Sequence, residues 1–322
     1  MTNAYTSIIA EAIQGFVLER QALGYTWQKQ AASLKRFDRF CVEVGHSQGC
    51  LSRELAMRWA EKKPWESDGA QRRRIRLVRM LARYMVRAGY DAYIYPDHVG
   101  VRQSSTYEPY LFTERELARF LDRVDRCLPV RSAPHRHLVF PLLYRVLYGC
   151  GLRVSEALNL TVGDVNTEER TLTIRNAKFH KDRLVSMSPS LAARCRIYME
   201  AMHPLKQPEH AFFPAAHGGR YSEKSIYDYF RRFLWEAGIS HGGRGKGPRL
   251  HDMRHAFAVH CLKRWVQRGT DLTVALPYLS AYLGHAGLKG TQRYLRLTAE
   301  LYPDMVRAMD ERFGHLLPGG DR

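Results

Sequence analysis

The chain has 322 residues, 45% of them hydrophobic, and a formal net charge of +18. That length accommodates two domains with separate cores, and the basic excess, present in residues 1–112 (17 Lys/Arg against 11 Asp/Glu) and beyond, points to a polyanion, nucleic acid ahead of an anionic membrane surface. The six cysteines (Cys41, Cys50, Cys127, Cys150, Cys195, Cys261) form no C-x-x-C pair, no basic-then-apolar leader opens the chain and no apolar run approaches a membrane span, so the expectation is a soluble, cytoplasmic protein with reduced thiols.

Residues 1–95 read as mostly helical. Ile8, Ile13, Phe16, Val17 and Leu18 start an amphipathic pattern interrupted near Gly24, and Leu34, Phe37, Phe40 and Cys41 continue it between Trp27 and Val44. A helix follows over 51–61. In the next, Arg72, Arg76, Arg79, Arg83 and Arg87 recur at steps of four, three, four and four, along one face beside Ile75, Val78, Ala82 and Met85. Like charges at that spacing repel by roughly 0.2–0.5 kcal/mol per pair. No acid lies between Arg72 and Arg87, so the pattern predicts an anionic partner, with DNA phosphates favoured over a solvated face or a membrane.

Residues 96–112, with Pro96, Gly100, Gln103-Ser104-Ser105-Thr106 and Pro109, read as a linker. Thr113 and Glu116 have capping-box spacing ahead of Leu117, Phe120, Leu121 and Val124, which opens a second domain over 113–322. There a helix is expected over 135–148, two short strands over 171–175 and 183–187 with Lys178 near their turn, and helices over 222–237, 251–268 and 272–283. Leu301, Met305, Met309 and Phe313 recur every four residues, as on a C-terminal helix. The expected fold class is mainly α with a small β-hairpin, a helical N-terminal domain preceding a mixed, mostly helical one.

Four short patterns stand in order in the second domain. They are Gly151-Leu152-Arg153-Val154-Ser155-Glu156, Ala177-Lys178-Phe179-His180-Lys181-Asp182-Arg183-Leu184-Val185, His251-Asp252-Met253-Arg254-His255, and Leu283-Gly284-His285 with Tyr294 nine residues later. Cutting a phosphodiester without a metal requires a nucleophile, a proton donor for the leaving oxygen, and groups that hold charge on phosphorus. Arginine suits the last, because its planar fork bonds two non-bridging oxygens and stays protonated. Arg254 lies one helical turn after His251 and shares its face. Histidine titrates close enough to neutrality to act as a general base.

Two competing motifs fare worse. His251 and His255 stand at the spacing of an H-E-x-x-H zinc helix, but Asp252 replaces the glutamate and Arg254 would repel a dication. That leaves His255 as a structural or supporting histidine. Residues 242–247 have the glycines of a nucleotide loop, but Lys246 is not followed by Ser or Thr and no strand precedes it, so Arg244 and Lys246 read as a flexible basic loop beside DNA.

The order and spacing of the four patterns resemble the tyrosine recombinase (phage integrase) family over residues 113–300. The resemblance implies site-specific cleavage and rejoining of double-stranded DNA, for a mobile element or phage, without a metal or nucleotide cofactor. It implies that Tyr294 attacks, leaving a 3′-phosphotyrosyl bond and a free 5′ hydroxyl, while Arg153 and Arg254 hold the phosphate. His251 would be the general base, and His285 would donate to a phosphate oxygen or support the tyrosine. Lys178, placed ahead of the basic-x-Arg-x-Val run, would protonate the 5′ oxygen; Lys181 is its rival and otherwise a phosphate contact.

By the same resemblance, residues 1–95 form a SAM-like core-DNA-binding domain, 96–112 the linker and 113–322 the catalytic domain. It also implies a homo-oligomer on DNA, a tetramer in the synapse, alone or with a sister recombinase, in a bacterial cytoplasm and at the nucleoid when on DNA. The helix around Leu301–Phe313 would dock on a neighbouring subunit. Two readings stand beside this one: a type IB topoisomerase-like enzyme that reseals its own strand, and a catalytically idle DNA-binding protein on the same fold.

Overall fold

The computed structural model describes residues 5–25, 27–100, 109–175, 182–205, 207–242, 247–285, 287, 290–292 and 294–295. Lys178, Lys181, Arg244, Lys246 and residues 301–313 lie outside these. The chain divides into two compact units, Met1–Tyr107 and Glu108–Arg322.

In the first unit, α1 (Ala10–Ala22), α2 (Gln28–Glu43), α3 (Arg53–Ala60) and α4 (Asp68–Arg87) pack around Phe16, Leu34, Phe37, Trp59, Val78, Leu81 and Met85. The buried face of α1 is Ile9, Ala12, Ile13, Phe16 and Val17, whereas Ile8 and Leu18 are exposed. The sequence pattern was therefore out of phase at its edges. Asp38 on α2 is buried and accepts from the amides of Thr6 at 2.8 Å and Ser7 at 2.9 Å, which ties the approach to α1 onto α2.

The arginine-rich α4 begins where Ser67 accepts from the Ala70 amide at 3.3 Å. Ile75, Val78, Leu81, Ala82 and Met85 recur on one face and are all buried. Burying one large aliphatic side chain contributes about 1.5–3 kcal/mol, so this apolar face is the main attachment of the helix to its unit.

The second unit opens with α5 (Glu114–Asp125). Its capping box is formed: the Glu116 amide donates to Thr113 Oγ1 at 3.1 Å and the Thr113 amide to the Glu116 carboxylate at 2.9 Å. α6 (Arg136–Gly149) buries Val139, Phe140, Leu143, Tyr144 and Leu147. The Tyr144 ring lies 6.1 Å from those of Phe230 and Phe233 on α9 (Glu223–Glu236), and its hydroxyl donates to the Ile226 carbonyl at 3.1 Å. α7 (Val154–Asn159) follows α6 after a tight turn.

β1 (Val165–Asn166), β2 (Thr171–Ile174) and β3 (Arg183–Ser186) form an antiparallel sheet in that order, with Thr171 opposite Ser186 and Ile174 opposite Arg183. The two-residue β1 is too short to show a period in sequence. α8 (Pro189–Met202) was also not foreseen, although Ser188 caps it and Pro189 occupies its first turn. α10 (Leu250–Gln267) and α11 (Leu272–Leu283) enclose a smaller core of Ala258, Val259, Leu262, Leu279 and Leu283, which also takes in Tyr294. Among the described residues no helix is long and apolar enough to cross a membrane. The fold is mainly helical with one small sheet.

Candidate active site

The turn after α6 aims the first arginine. Gly151 has φ +58°, and a Cβ there would lie 2.5 Å from the Phe257 ring and 2.9 Å from Leu283, so glycine is required where this turn meets α10 and α11. Two residues on, Arg153 caps α7. Its amide donates to Glu156 Oε2 at 2.9 Å, and its guanidinium donates to Glu156 Oε1 at 2.5 Å and to the Gly284 carbonyl at 3.1 Å.

Arg254, on α10, is 1% exposed. It donates to the Gly151 carbonyl at 2.8 Å and to the Leu283 carbonyl at 2.5 Å. Burial, and then the charge of Arg153, pull its pKa down to about 10, which leaves it cationic at neutral pH.

The end of α11 explains how these cations can gather. A helix's last carbonyls have no intrahelical partner and carry partial negative charge. Here three successive carbonyls accept from three different arginines: Tyr282 from Arg183 at 2.9 Å, Leu283 from Arg254 and Gly284 from Arg153. Gly284, left-handed at φ +66°, ends the helix and turns the chain into His285. Buried Glu156 completes the charge balance, accepting from Arg183 at 3.1 and 2.9 Å and lying 3.9 Å from Arg254. Burial alone would raise its pKa. The Arg183 hydrogen bond, the Arg153 amide and the two guanidinium charges outweigh that and hold the carboxyl below its usual range.

His251 opens α10 beside a cleft of about 650 Å³ lined by Arg153, Ser155, Lys224, Tyr227 and Arg249. The residue is exposed, with its ring edge-on to that of His255. Loss of solvent around the imidazole, then the charges of Arg254 and Arg153, pushes its pKa down to about 4. His285 is half-buried, with Nδ1 2.8 Å from the Thr291 hydroxyl. Burial, followed by the charges of Arg254 and Arg153, lowers its pKa to about 4 as well. Both imidazoles are therefore neutral at pH 7, and weaker bases than an ordinary histidine.

Tyr294 is 2% exposed, with its hydroxyl 3.0 Å from His255 Nδ1. The His285 ring lies nearly parallel to it at 6.0 Å, and the His255 ring meets that of His251 edge-on at 4.7 Å. Arg153, His251, Arg254, His285 and Tyr294 thus come from four separate stretches into one neighbourhood. Lys178 is outside the described residues.

His255, which the sequence placed only in a supporting role, is within hydrogen-bond distance of the tyrosine hydroxyl. Sequence reasoning gave no role to Glu156, Arg183 or Thr291. Glu156 had a signal, since a glutamate three residues past a helix's first cap position can reach back to it. Arg183 stood in the basic-x-Arg-x-Val run that placed Lys178, but nothing there pointed to a partner. Among the described residues no three His, Cys, Asp or Glu side chains converge to hold a metal ion.

In the first unit, Arg72, Arg76, Arg79, Arg83 and Arg87 line a groove of about 840 Å³, joined by Arg20 and Arg73. They are not equivalent. Arg79 donates to the carbonyls of Tyr95, Pro96 and Val99, at 3.1, 2.8 and 2.6 Å. Arg87 pairs with Glu19 of α1, and Arg83 lies 3.7 Å from Asp97. Acids absent from the helix itself are thus supplied by other segments, and the stripe is less uncompensated than its sequence suggests.

The phage integrase family model matches residues 111–300. The integrase/recombinase-type protein y4rB of Sinorhizobium fredii is 32% identical over 314 residues, covering 95% of this chain and 98% of its own. Tyrosine recombinase XerA of Pyrococcus furiosus is 29% identical over 200 residues, covering 62% of this chain and 61% of its own. Among solved structures, the Tn1549 transposon integrase in complex with transposon right end DNA aligns with a TM-score of 0.62 at 17% identity, over 94% of this chain and 99% of that one. That likeness speaks for the fold.

Proposed function

The chain belongs to the phage integrase family and is a tyrosine-type site-specific DNA recombinase, and on that premise we propose that it breaks and rejoins duplex DNA through a phosphotyrosyl bond on Tyr294. The hydroxyl oxygen attacks the scissile phosphorus, the P–O5′ bond breaks, and a 3′-phosphotyrosyl ester and a 5′ hydroxyl result. The hydroxyl proton passes to His251. Lys178 gives a proton to the departing 5′ oxygen. Arg153 and Arg254 donate to the non-bridging oxygens, and His285 donates to one of them or supports the tyrosine. The new ester resembles in energy the bond broken, so attack by the 5′ hydroxyl of a partner duplex reseals the strand without ATP or a metal.

The observation that carries this reading is the gathering of Arg153 and Arg254 on the end of α11, beside His251, His285 and Tyr294. Donors held in place before substrate arrives cost no reorganisation during reaction, and losing one such donor costs roughly 2.7–4 kcal/mol in related charge-stabilising sites. The N-terminal unit serves as the core-DNA-binding half of a clamp, with Arg72, Arg76, Arg83 and Arg87 toward phosphates and Arg79 bracing the groove; Lys181, Arg244 and Lys246 add phosphate contacts. The acting form is a tetramer on two duplexes, alone or with a sister recombinase, the 301–313 segment docking on a neighbour. It works in the cytoplasm on DNA of a mobile element.

The test is strand exchange between two duplexes carrying the element's ends, in EDTA and without ATP. Recombinant products from wild type support the reading. Relaxation of supercoiled DNA without recombinants would assign the chain a topoisomerase-like role instead, and binding without any strand breakage would make it an idle binder.

A further inference from the structure

Arg183 is not among the residues assigned to the scissile phosphate, yet it holds the supports of two that are. It opens β3 with its side chain nearly buried. Its two terminal nitrogens donate to the two oxygens of Glu156 at 3.1 and 2.9 Å, while Nε donates to the Tyr282 carbonyl at 2.9 Å. A planar fork of this kind fixes three acceptors with one rigid group, which a lysine ammonium cannot do. The same carboxylate holds Arg153 by both its amide and its guanidinium.

The Tyr282 carbonyl belongs to the last turn of α11, just ahead of Leu283-Gly284-His285. Gly284 lies flat against Arg183: a Cβ there would sit 2.9 Å from Nη1 and 3.0 Å from Cζ. At the other end of β3, the Tyr282 hydroxyl donates to the Ser186 carbonyl at 2.8 Å. The strand is therefore joined to the end of α11 at both its ends.

We propose that Arg183 is a positioning residue for strand cleavage, setting Arg153 through Glu156 and the His285 turn through the Tyr282 carbonyl and Gly284. It makes the sheet, the first arginine and the histidine turn one mechanical unit. This rests on the cleavage chemistry assigned above to Tyr294.

The experiment uses the full chain and a nicked duplex from the DNA flanking its own gene. Wild type is compared with Arg183→Met, which keeps an apolar stem, with Arg183→Lys, and with Arg183→Met combined with Glu156→Gln. DNA affinity, the single-turnover rate of covalent complex formation and its amplitude are measured for each. Arg183→Met is expected to slow the rate on the order of a hundredfold, as a misplacement of about an ångström does, with affinity unchanged. Arg183→Lys should recover only part of the rate, since it restores charge without the fork. The double variant should be little slower than Arg183→Met alone, because the two residues act in series.

A purely structural role would lower the amplitude and the melting temperature while the reacting fraction kept the wild-type rate, and that result overturns the proposal. Wild-type cleavage with an unchanged rate in Arg183→Met removes this proposal alone. No covalent product from wild type removes the cleavage reading and this proposal with it.

Discussion

The Tyr294 hydroxyl lies 3.0 Å from Nδ1 of His255, one helical turn beyond His251 on α10. Tyr294 is sealed from solvent, whereas His251 opens onto the cleft that Arg153 and Arg249 line. The two histidines are thus separated by position, one against the tyrosine hydroxyl and one at the cleft, and proton transfer to His251 requires the hydroxyl to leave His255 as the phosphate enters. His251→Ala is expected to lower single-turnover cleavage by on the order of 10²–10⁴, the range of a lost general base. His255→Ala should cost less in rate but about 1–3 kcal/mol in stability, because a buried hydroxyl loses that partner. Cleavage kinetics and urea unfolding of both variants check this, and the opposite order of rates would make His255 the base.

The depressed histidines give the reaction a characteristic pH dependence. With pKa values near 4 in the free protein, His251 and His285 stay neutral through the range in which an ordinary histidine, near 6.5, would charge. At subsaturating DNA, where the free protein is what titrates, cleavage should therefore hold its rate down to well below pH 6.5. A bound phosphate adds negative charge beside both rings, so the limb at saturating DNA should move upward. For stability the sign is fixed by the same shift: between pH 6.5 and about 4 the unfolded chain binds more protons, so stability falls as pH falls through that window. Rate profiles at two DNA concentrations measure the first effect, and denaturant midpoints against pH the second.

Glu156 should be the site's most expensive single loss. Its carboxylate is buried among Arg153, Arg183 and Arg254. Removing one member of a buried charge cluster strands the rest at a cost of about 3–5 kcal/mol. Glu156→Ala is expected to destabilise the chain by that amount above pH 4.5, the ordinary value from which the folded carboxyl is lowered. The group's contribution is present above that pH and is lost as pH falls through the lower folded value, so the difference between wild type and variant should shrink in acid. Chemical unfolding at neutral and acid pH tests this; an equal gap at both would show that the carboxylate charge is not what matters.

The arginines of α4 should separate into two kinds. Arg76→Ala and Arg83→Ala are expected to weaken DNA binding similarly on all sequences and each to reduce the salt slope by about one. Arg79→Ala should instead lower stability by about 1–3 kcal/mol, since its guanidinium secures three backbone carbonyls after the helix. Salt titrations of affinity and thermal melts of the three variants distinguish the two behaviours.

The parts legible in sequence were those with a strong local period or an ordered motif. The α4 stripe, the Thr113–Glu116 cap, the pairing of 171–174 with 183–186 and the span of α11 all carry local signals. The same holds for the motifs around Arg153, His251, Arg254, His285 and Tyr294. What escaped was whatever depends on partners far away in the chain. Arg183 meets Glu156 across 27 residues and Tyr282 across 99, and nothing local to Arg183 announces either contact. His255 looked like a spare histidine because its partner lies 39 residues on. The charge of the arginine stripe was misjudged for the same reason: Glu19 and Asp97 reach it from outside the helix.

The central claim, that Tyr294 is the nucleophile, is tested most directly by covalent trapping. Wild type and Tyr294→Phe are incubated with nicked duplexes from the DNA flanking the gene and run on a denaturing gel. The account predicts a protein–DNA adduct for wild type and none for Tyr294→Phe, with a free 5′ hydroxyl at the break. An adduct from both proteins would contradict it and place the nucleophile elsewhere.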